Sequence, residues 1–134
     1  MTHVEHIGIA VKNLDQSIPL FEKLLNTECY KKEEVESEKV QTAFFRTGKT
    51  KIELLESLDD TGVIAQYIEK KGEGIHHIAF EVSDIRSEMK RLEGLGFKLI
   101  NSLPMPGADN KMVCFLHPKT TGGLLVELCM ENKI

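Results

Sequence analysis

The chain has 134 residues, of which 41% are hydrophobic and 28% charged, and its formal net charge is −4. This composition is typical of one soluble globular domain, or of two small modules that share a core, and its negative charge argues against a general nucleic-acid binder. The sequence has no apolar run of ~18 residues and no basic leader segment, so we expect no membrane span and a cytoplasmic location.

The first predicted strand is EHIGIAV, and its side chains alternate between two faces of a sheet. Ile7, Ile9 and Val11 share one face, and His6, Gly8 and Ala10 share the other. Bulky aliphatic residues pack under a helix, whereas a histidine beside small residues lines a space. His6 is therefore a candidate functional residue.

A helix is predicted within about residues 15–26, where Pro19 is tolerable only in the first turn. The polar stretch 30–41 that follows is a solvated strand or loop, whose glutamates form a charged surface. Two strands around Gly48 then cover residues 41–56. The apolar positions predicted to pack the helix are Ile18, Phe21, Leu24 and Leu25.

Glu53 lies in the apolar run KIELLE, on the face opposite Ile52 and Leu54. A carboxylate in such a run is costly to bury unless it is paired or binds a cation. Glu53 is therefore the second candidate residue of this half.

The second half repeats the first. IHHIAFEVSDIRSEM (75–89) resembles VEHIGIAVKNLDQSI (4–18) at a shift of 71 residues (75 minus 4), so His77 corresponds to His6 and His76 to Glu5. The repeat predicts an α+β fold of two tandem modules, each a strand, a helix and two or three further strands. The predicted ranges are about 1–60 for module one, about 61–73 for a linker helix, and about 74–134 for module two.

The helix of module two is predicted to begin at Asp84 as its N-cap and to end at Gly94 or Gly96. Two strands around a Gly-Gly turn complete the module, and the last one, LLVELC, carries Glu127 where KIELLE carries Glu53. The apolar positions predicted to pack this helix are Ile85, Met89, Leu92 and Leu95.

The three cysteines include no CxxC pair, which predicts reduced structural thiols. Cys129 shares the face of Glu127 and is interpreted as a small apolar filler rather than a ligand. His76 is interpreted as a strand-edge residue, and His117, which precedes a proline, as a loop contact.

Two imidazoles and two carboxylates therefore lie at matching positions of the repeat: His6, Glu53, His77 and Glu127. Two nitrogen and two oxygen donors without sulfur favour Zn²⁺, Ni²⁺, Co²⁺, Mn²⁺ or Fe²⁺ over Cu⁺ or an iron–sulfur cluster. Four protein ligands leave open positions on a five- or six-coordinate ion, as catalysis requires. The turn at Lys119, Thr120, Thr121 and Gly122 combines flexible backbone with a cation, and either binds an anionic carboxylate or phosphate or is a plain hairpin turn.

This ligand pattern on a tandem repeat resembles the vicinal oxygen chelate superfamily over essentially the whole chain. The resemblance implies two βαβββ modules whose mixed sheet curls like a cup around a metal. The segments GEGIHHIAFEV (72–82) and FLHPKTTGGLLVEL (115–128) are most similar to the methylmalonyl-CoA epimerases of that superfamily.

The resemblance implies a metal-dependent epimerase that interconverts (2R)- and (2S)-methylmalonyl-CoA through an enolate stabilised by the metal. It also implies a coenzyme A thioester substrate, cobalt as the metal, a homodimer, and Glu127 as both ligand and acid/base. Some members carry a further, non-ligand glutamate before AFF, whereas this chain has Gln41, Thr42 and Ala43 there. Glu53, a water or one mobile carboxylate would then serve the opposite face of the substrate. Glyoxalase I activity, or a non-catalytic binding protein of the same fold, is the alternative.

Overall fold

The computed structural model describes residues 1–132 and divides them into two compact units. The first unit comprises residues 6–76, and the second comprises residues 1–5 together with the described residues from 77 onward. The last two positions of predicted module two lie outside the described residues. Within residues 1–132 we find no helix that is both long and apolar enough to cross a membrane.

The strands and helices of the chain follow the order strand, helix, three strands, and this order occurs twice. The first set is β1 (His3–Ala10), α1 (Leu14–Leu25), β2 (Lys31–Val35), β3 (Val40–Thr47) and β4 (Thr50–Ser57). After α2 (Val63–Lys71), the second set is β5 (Gly74–Glu81), α3 (Ile85–Gly94), β6 (Met105–Pro106), β7 (Lys111–Leu116) and β8 (Val126–Glu131). The predicted α+β class and the tandem βαβββ repeat are confirmed, and α2 lies within the range predicted for the linker helix.

The strands of the first unit lie in the order β2-β3-β4-β1. The pairing of β1 with β4 is parallel, whereas β2–β3 and β3–β4 are antiparallel, so the sheet is mixed. The hairpin turn between β3 and β4 contains Gly48 at a φ of +67°, a conformation that glycine adopts without steric cost. The helix α1 covers one face of this sheet. The hydrophobic core between α1 and the sheet consists of Val11, Leu14, Ile18, Ala43, Phe45 and Leu54.

The helix α1 begins after Asn13, whose side chain accepts a hydrogen bond from the backbone N–H of Gln16. Pro19 lies inside this helix and beyond its first turn, where it removes one intrahelical donor. Leu24 is 69% exposed, so its predicted core position is wrong. It lies six residues after Ile18, which at 100° per residue places it well away from the packed stripe.

In the second unit the strand order is β5-β8-β7-β6, with β5 and β8 parallel and the other pairs antiparallel. Asp84 caps α3, as predicted, by accepting a hydrogen bond from the N–H of Ser87. Leu95 follows the end of α3 and is 65% exposed, which corrects its predicted core position. The core under α3 consists of Val82, Ile85, Met89, Leu92, Cys114, Leu116, Val126 and Leu128.

Candidate metal centre

The first unit contains a buried histidine–glutamate pair on the sheet face opposite α1. Parallel pairing of β1 with β4 places Gly8 beside Glu53, and the Nδ1 atom of His6 lies 3.3 Å from Oε2 of Glu53. His6 is 5% and Glu53 3% exposed. Ile9, Ile52 and Leu54 pack under α1 instead, so the predicted alternation of faces is confirmed.

The second unit contains the matching pair. Parallel pairing of β5 with β8 places Ala79 beside Glu127, and the Nε2 atom of His77 lies 3.2 Å from Oε1 of Glu127. Both side chains are buried. Phe115, the neighbour of Glu127 on β7, packs edge-on against the His77 ring at a centroid distance of 5.9 Å. Small residues beside each glutamate, Gly8 and Ala79, leave room for the imidazoles.

Both pairs have the donor chemistry and the spacing that a divalent metal requires. Ligand atoms bound at 2.0–2.2 Å to one tetrahedral or octahedral ion are separated by about 2.9–3.5 Å. The separations of 3.3 Å in the first unit and 3.2 Å in the second fall in this range. Each unit can therefore supply one imidazole nitrogen and one carboxylate oxygen to an ion.

The predicted substrate-binding turn forms a short 3₁₀ helix, Pro118–Thr120, followed by two glycines with positive φ. The N–H of Lys119 donates to Nδ1 of His117, and the N–H groups of Thr121 and Gly123 donate to the Pro118 carbonyl. These donors are used inside the turn, so they do not form an anion-binding cradle. The exposed Lys119 side chain remains the charged group of this segment.

The three cysteines and His76 make packing contacts. Cys29, Cys114 and Cys129 are free thiols, as expected. Cys129 packs with Ala79 and Val113, and burial, followed by the nearby carboxylates Glu127 and Glu5, raises the pKa of its thiol. Burial also raises the pKa of the Cys114 thiol, to about 11. His76 packs edge-on against Tyr67 at a centroid distance of 4.9 Å.

Sequence reasoning missed a buried charge cluster in the second unit. Lys111 is 5% exposed, and its Nζ lies 2.6 Å from Glu131, 3.7 Å from Glu81 and 3.9 Å from Glu5. Glu5 is also buried, at 4% exposure. One signal in the sequence was Glu5, a carboxylate inside an apolar strand.

The chain matches the Glyoxalase/Bleomycin resistance protein/Dioxygenase superfamily over residues 5–115. It belongs to this superfamily.

Relatives within the superfamily include epimerases. The ethylmalonyl-CoA/methylmalonyl-CoA epimerase of Cereibacter sphaeroides is 38% identical over 127 residues, which cover 93% of this chain and 95% of that protein. A solved variant of Streptomyces coelicolor methylmalonyl-CoA epimerase, in complex with 2-nitronate-propionyl-CoA, superimposes with a TM-score of 0.94 at 28% identity, covering 100% of this chain and 97% of that one. A methylmalonyl-CoA epimerase in complex with methylmalonyl-CoA and NH4+ has the same TM-score, 0.94, the same 28% identity and the same coverage of 100% and 97%. The chain is an epimerase, an enzyme of the isomerase class.

Proposed function

We propose that this epimerase interconverts the (2R) and (2S) forms of methylmalonyl-CoA. The observation that carries the proposal is the pair of buried His–Glu contacts at equivalent positions of the repeat, 3.3 Å and 3.2 Å. The relatives also support the proposal, because the chain resembles epimerases of known substrate over more than nine-tenths of its length.

We further propose that His6, Glu53, His77 and Glu127 together hold one divalent ion. When bound, the ion would act as a Lewis acid that stabilises negative charge on the thioester oxygen of the substrate. All four residues are at most 5% exposed, so the surrounding protein limits competition from water for the same positions. Cobalt is the metal that the family resemblance favours, and zinc, nickel or manganese would suit the same donors.

The chemistry of the chain itself is proton transfer at C2. A carboxylate of Glu127 would remove the C2 proton from one face and return a proton to it. Glu53 is the counterpart predicted from the sequence for the opposite face. The exposed Lys119, beside Thr120, Thr121 and Gly122, would contact an anionic group of the coenzyme A thioester.

Solvent deuterium incorporation at C2 of methylmalonyl-CoA tests the substrate and the reaction together. We expect rapid incorporation by the wild-type protein, loss of it after chelator treatment, and recovery on adding Co²⁺. Metal analysis of the purified protein should give about one ion per chain. Absence of incorporation by the metal-loaded protein, together with turnover of the glutathione–methylglyoxal hemithioacetal, would replace the epimerase by glyoxalase I.

The variant Glu127→Gln separates proton transfer from metal binding. We expect it to lose C2 exchange and to retain most of the bound metal, because an amide oxygen can still coordinate but cannot act as a base. The exposed Glu131→Gln on the same strand is the matched control. Unchanged exchange in Glu127→Gln would remove Glu127 from the mechanism.

Two further expectations remain proposals, namely the homodimer that the family resemblance implies and the cytoplasmic location expected from the sequence. Light scattering of the purified protein at micromolar concentration measures the mass directly. A single species of about twice the chain mass of 15.1 kDa is the expected result, and a monomer would reject the dimer.

A further inference from the structure

A second carboxylate lies on the same sheet face as Glu53 in the first unit. Directly paired residues of neighbouring strands share a face. Glu53 on β4 pairs with Phe44 on β3, which pairs with Lys31 on β2. One step further along, Thr42 on β3 pairs with Glu33 on β2. Glu33 therefore lies on the face opposite α1, two strands away from β4.

This part of the sheet breaks the repeat. In the second unit Glu127 pairs with Phe115, just as Glu53 pairs with Phe44. The position equivalent to Thr42 is Val113, at the same shift of 71 residues (113 minus 42), and the neighbour of Val113 on β6 is Met105.

The first unit thus has a threonine and a glutamate where the second has a valine and a methionine. Core packing alone would favour the apolar pair in both units. The polar pair therefore calls for a reason other than packing.

The Thr42 hydroxyl provides a separate observation at the same place. Thr42 is completely buried, and its Oγ1 has no hydrogen-bond partner among the described residues. Buried hydroxyls in native proteins are nearly always paired, so an exception needs an explanation. A polar ligand group on this face would supply one.

Glu33 is placed to meet such a ligand, unlike Glu53. The side chain of Glu33 is 33% exposed, whereas that of Glu53 is 4% exposed and lies against His6. The Nζ atom of Lys31 lies 3.5 Å from Oε1 of Glu33 and 4.7 Å from the centre of the Phe44 ring. The ammonium group of Lys31 therefore lies beside the Glu33 carboxylate on the face that carries Phe44.

We propose that Glu33 is the catalytic acid/base that acts on the C2 face opposite Glu127. This assignment rests on the proposed epimerase function and replaces Glu53 in that role. The C2–H bond breaks, its electron pair enters the thioester to form the enolate, and the proton passes to one ionised carboxylate. The other carboxyl group, which starts protonated, gives its proton to C2 from the opposite face. Protons balance, because the two carboxyl groups exchange protonation states over one turnover.

The test follows each epimer separately in deuterated water, with metal-loaded Glu33→Gln and with Glu34→Gln as the matched control. Glu34 is the next residue on β2 and is exposed on the other face. In Glu33→Gln we expect inversion to fall by about 10²–10⁴-fold, the usual effect of losing one acid/base. One epimer should still take up deuterium with its configuration retained, because Glu127 still serves that face, while the other epimer should take up none. Glu34→Gln should behave as wild type.

Three results would overturn the assignment: inversion at the wild-type rate in Glu33→Gln, equal loss of exchange from both epimers with metal content unchanged, or an equal loss in Glu34→Gln. Glu33→Asp should restore part of the inversion, and its failure to exceed Glu33→Gln would count against a proton-transfer role. If the wild-type protein itself exchanges neither epimer, the proposed function has failed, and that outcome is distinct from all of these.

Discussion

Replacing Lys111 by methionine should destabilise the protein strongly, because it leaves a carboxylate buried without its cation. Lys111 and Glu5 each have side chains that are 5% exposed, and Nζ lies 3.9 Å from the Glu5 carboxylate. Methionine retains most of the apolar stem, so the main loss is the charge. Breaking a buried ion pair from one side costs about 3–5 kcal/mol.

The three carboxylates around Lys111 do not contribute equally to this cost. Glu131 is 62% exposed and Glu81 31% exposed, so water can solvate both after the lysine is removed. An exposed pair contributes about 0–1 kcal/mol even at a short distance. Glu5 therefore accounts for most of the expected loss, and we place the total for Lys111→Met at about 3–4 kcal/mol.

Urea and thermal unfolding of the metal-loaded protein at neutral pH measure this loss. A domain of this size loses roughly 3 °C in Tm per kcal/mol, so we expect a decrease of about 10 °C. The double variant Lys111→Met with Glu5→Gln should recover much of the stability, because neither charge is then left alone. Glu131→Gln, the control, should cost less than about 1 kcal/mol. A loss below about 1 kcal/mol in Lys111→Met, or no recovery in the double variant, would refute the reasoning.

Three further predictions follow from single contacts. The hydrogen bond from Arg91 lowers the pKa of Glu88 below its usual 4.5. The Glu88 carboxylate therefore adds stability above that pH, and this contribution is lost as the pH falls through the lower folded-state pKa. The difference in unfolding free energy between wild type and Glu88→Gln, measured in urea, should shrink from about pH 7 to about pH 2.5, and a constant difference would contradict this. Cys114 should resist alkylation in the folded protein until urea is added, because burial raises the pKa of its thiol to about 11. Labelling of the native protein, detected by mass spectrometry, would be inconsistent with that burial. Gly62→Ala should lower Tm by several degrees, since the new Cβ would lie 2.0 Å from Oγ of Ser57, and the companion change Ser57→Ala should reverse part of the loss.

The strand faces could be predicted from the sequence because alternation depends only on local backbone geometry. The alternation places His6, Glu53, His77 and Glu127 on the faces where the structure has them, and the repeat shows that they occupy matching positions in the two modules. Pairing between strands depends on residues far apart in the chain, so the contacts across β2, β3 and β4 could not be predicted in the same way. The environment of Thr42 was therefore visible only in the structure.

The helix errors have a similar local cause. Leu24 is apolar and adjacent in sequence to Leu25, which packs against the sheet, but its shift of six residues from Ile18 rotates it away from the buried face of α1. Leu95 continued an apolar pattern after the helix had already ended. Lys111 was missed for the opposite reason, because lysine is almost never fully buried unless paired, and its partners Glu5 and Glu81 are distant in sequence.

The repeat and the reaction make different demands on the two units. A metal ion requires only donors at suitable distances, and the two His–Glu pairs meet that requirement with near-symmetric contacts. The proposed substrate, methylmalonyl-CoA, has no such symmetry, because its thioester and its free carboxylate differ and its coenzyme A extends to one side. Residues that recognise it must therefore differ between the units.

The clearest difference between equivalent strand positions is that the first unit pairs Glu33 with Thr42, whereas the second unit pairs Met105 with Val113. Self-similarity in the sequence consequently points to the proposed metal ligands, whereas the residue proposed to act on the substrate, Glu33, lies where the similarity fails.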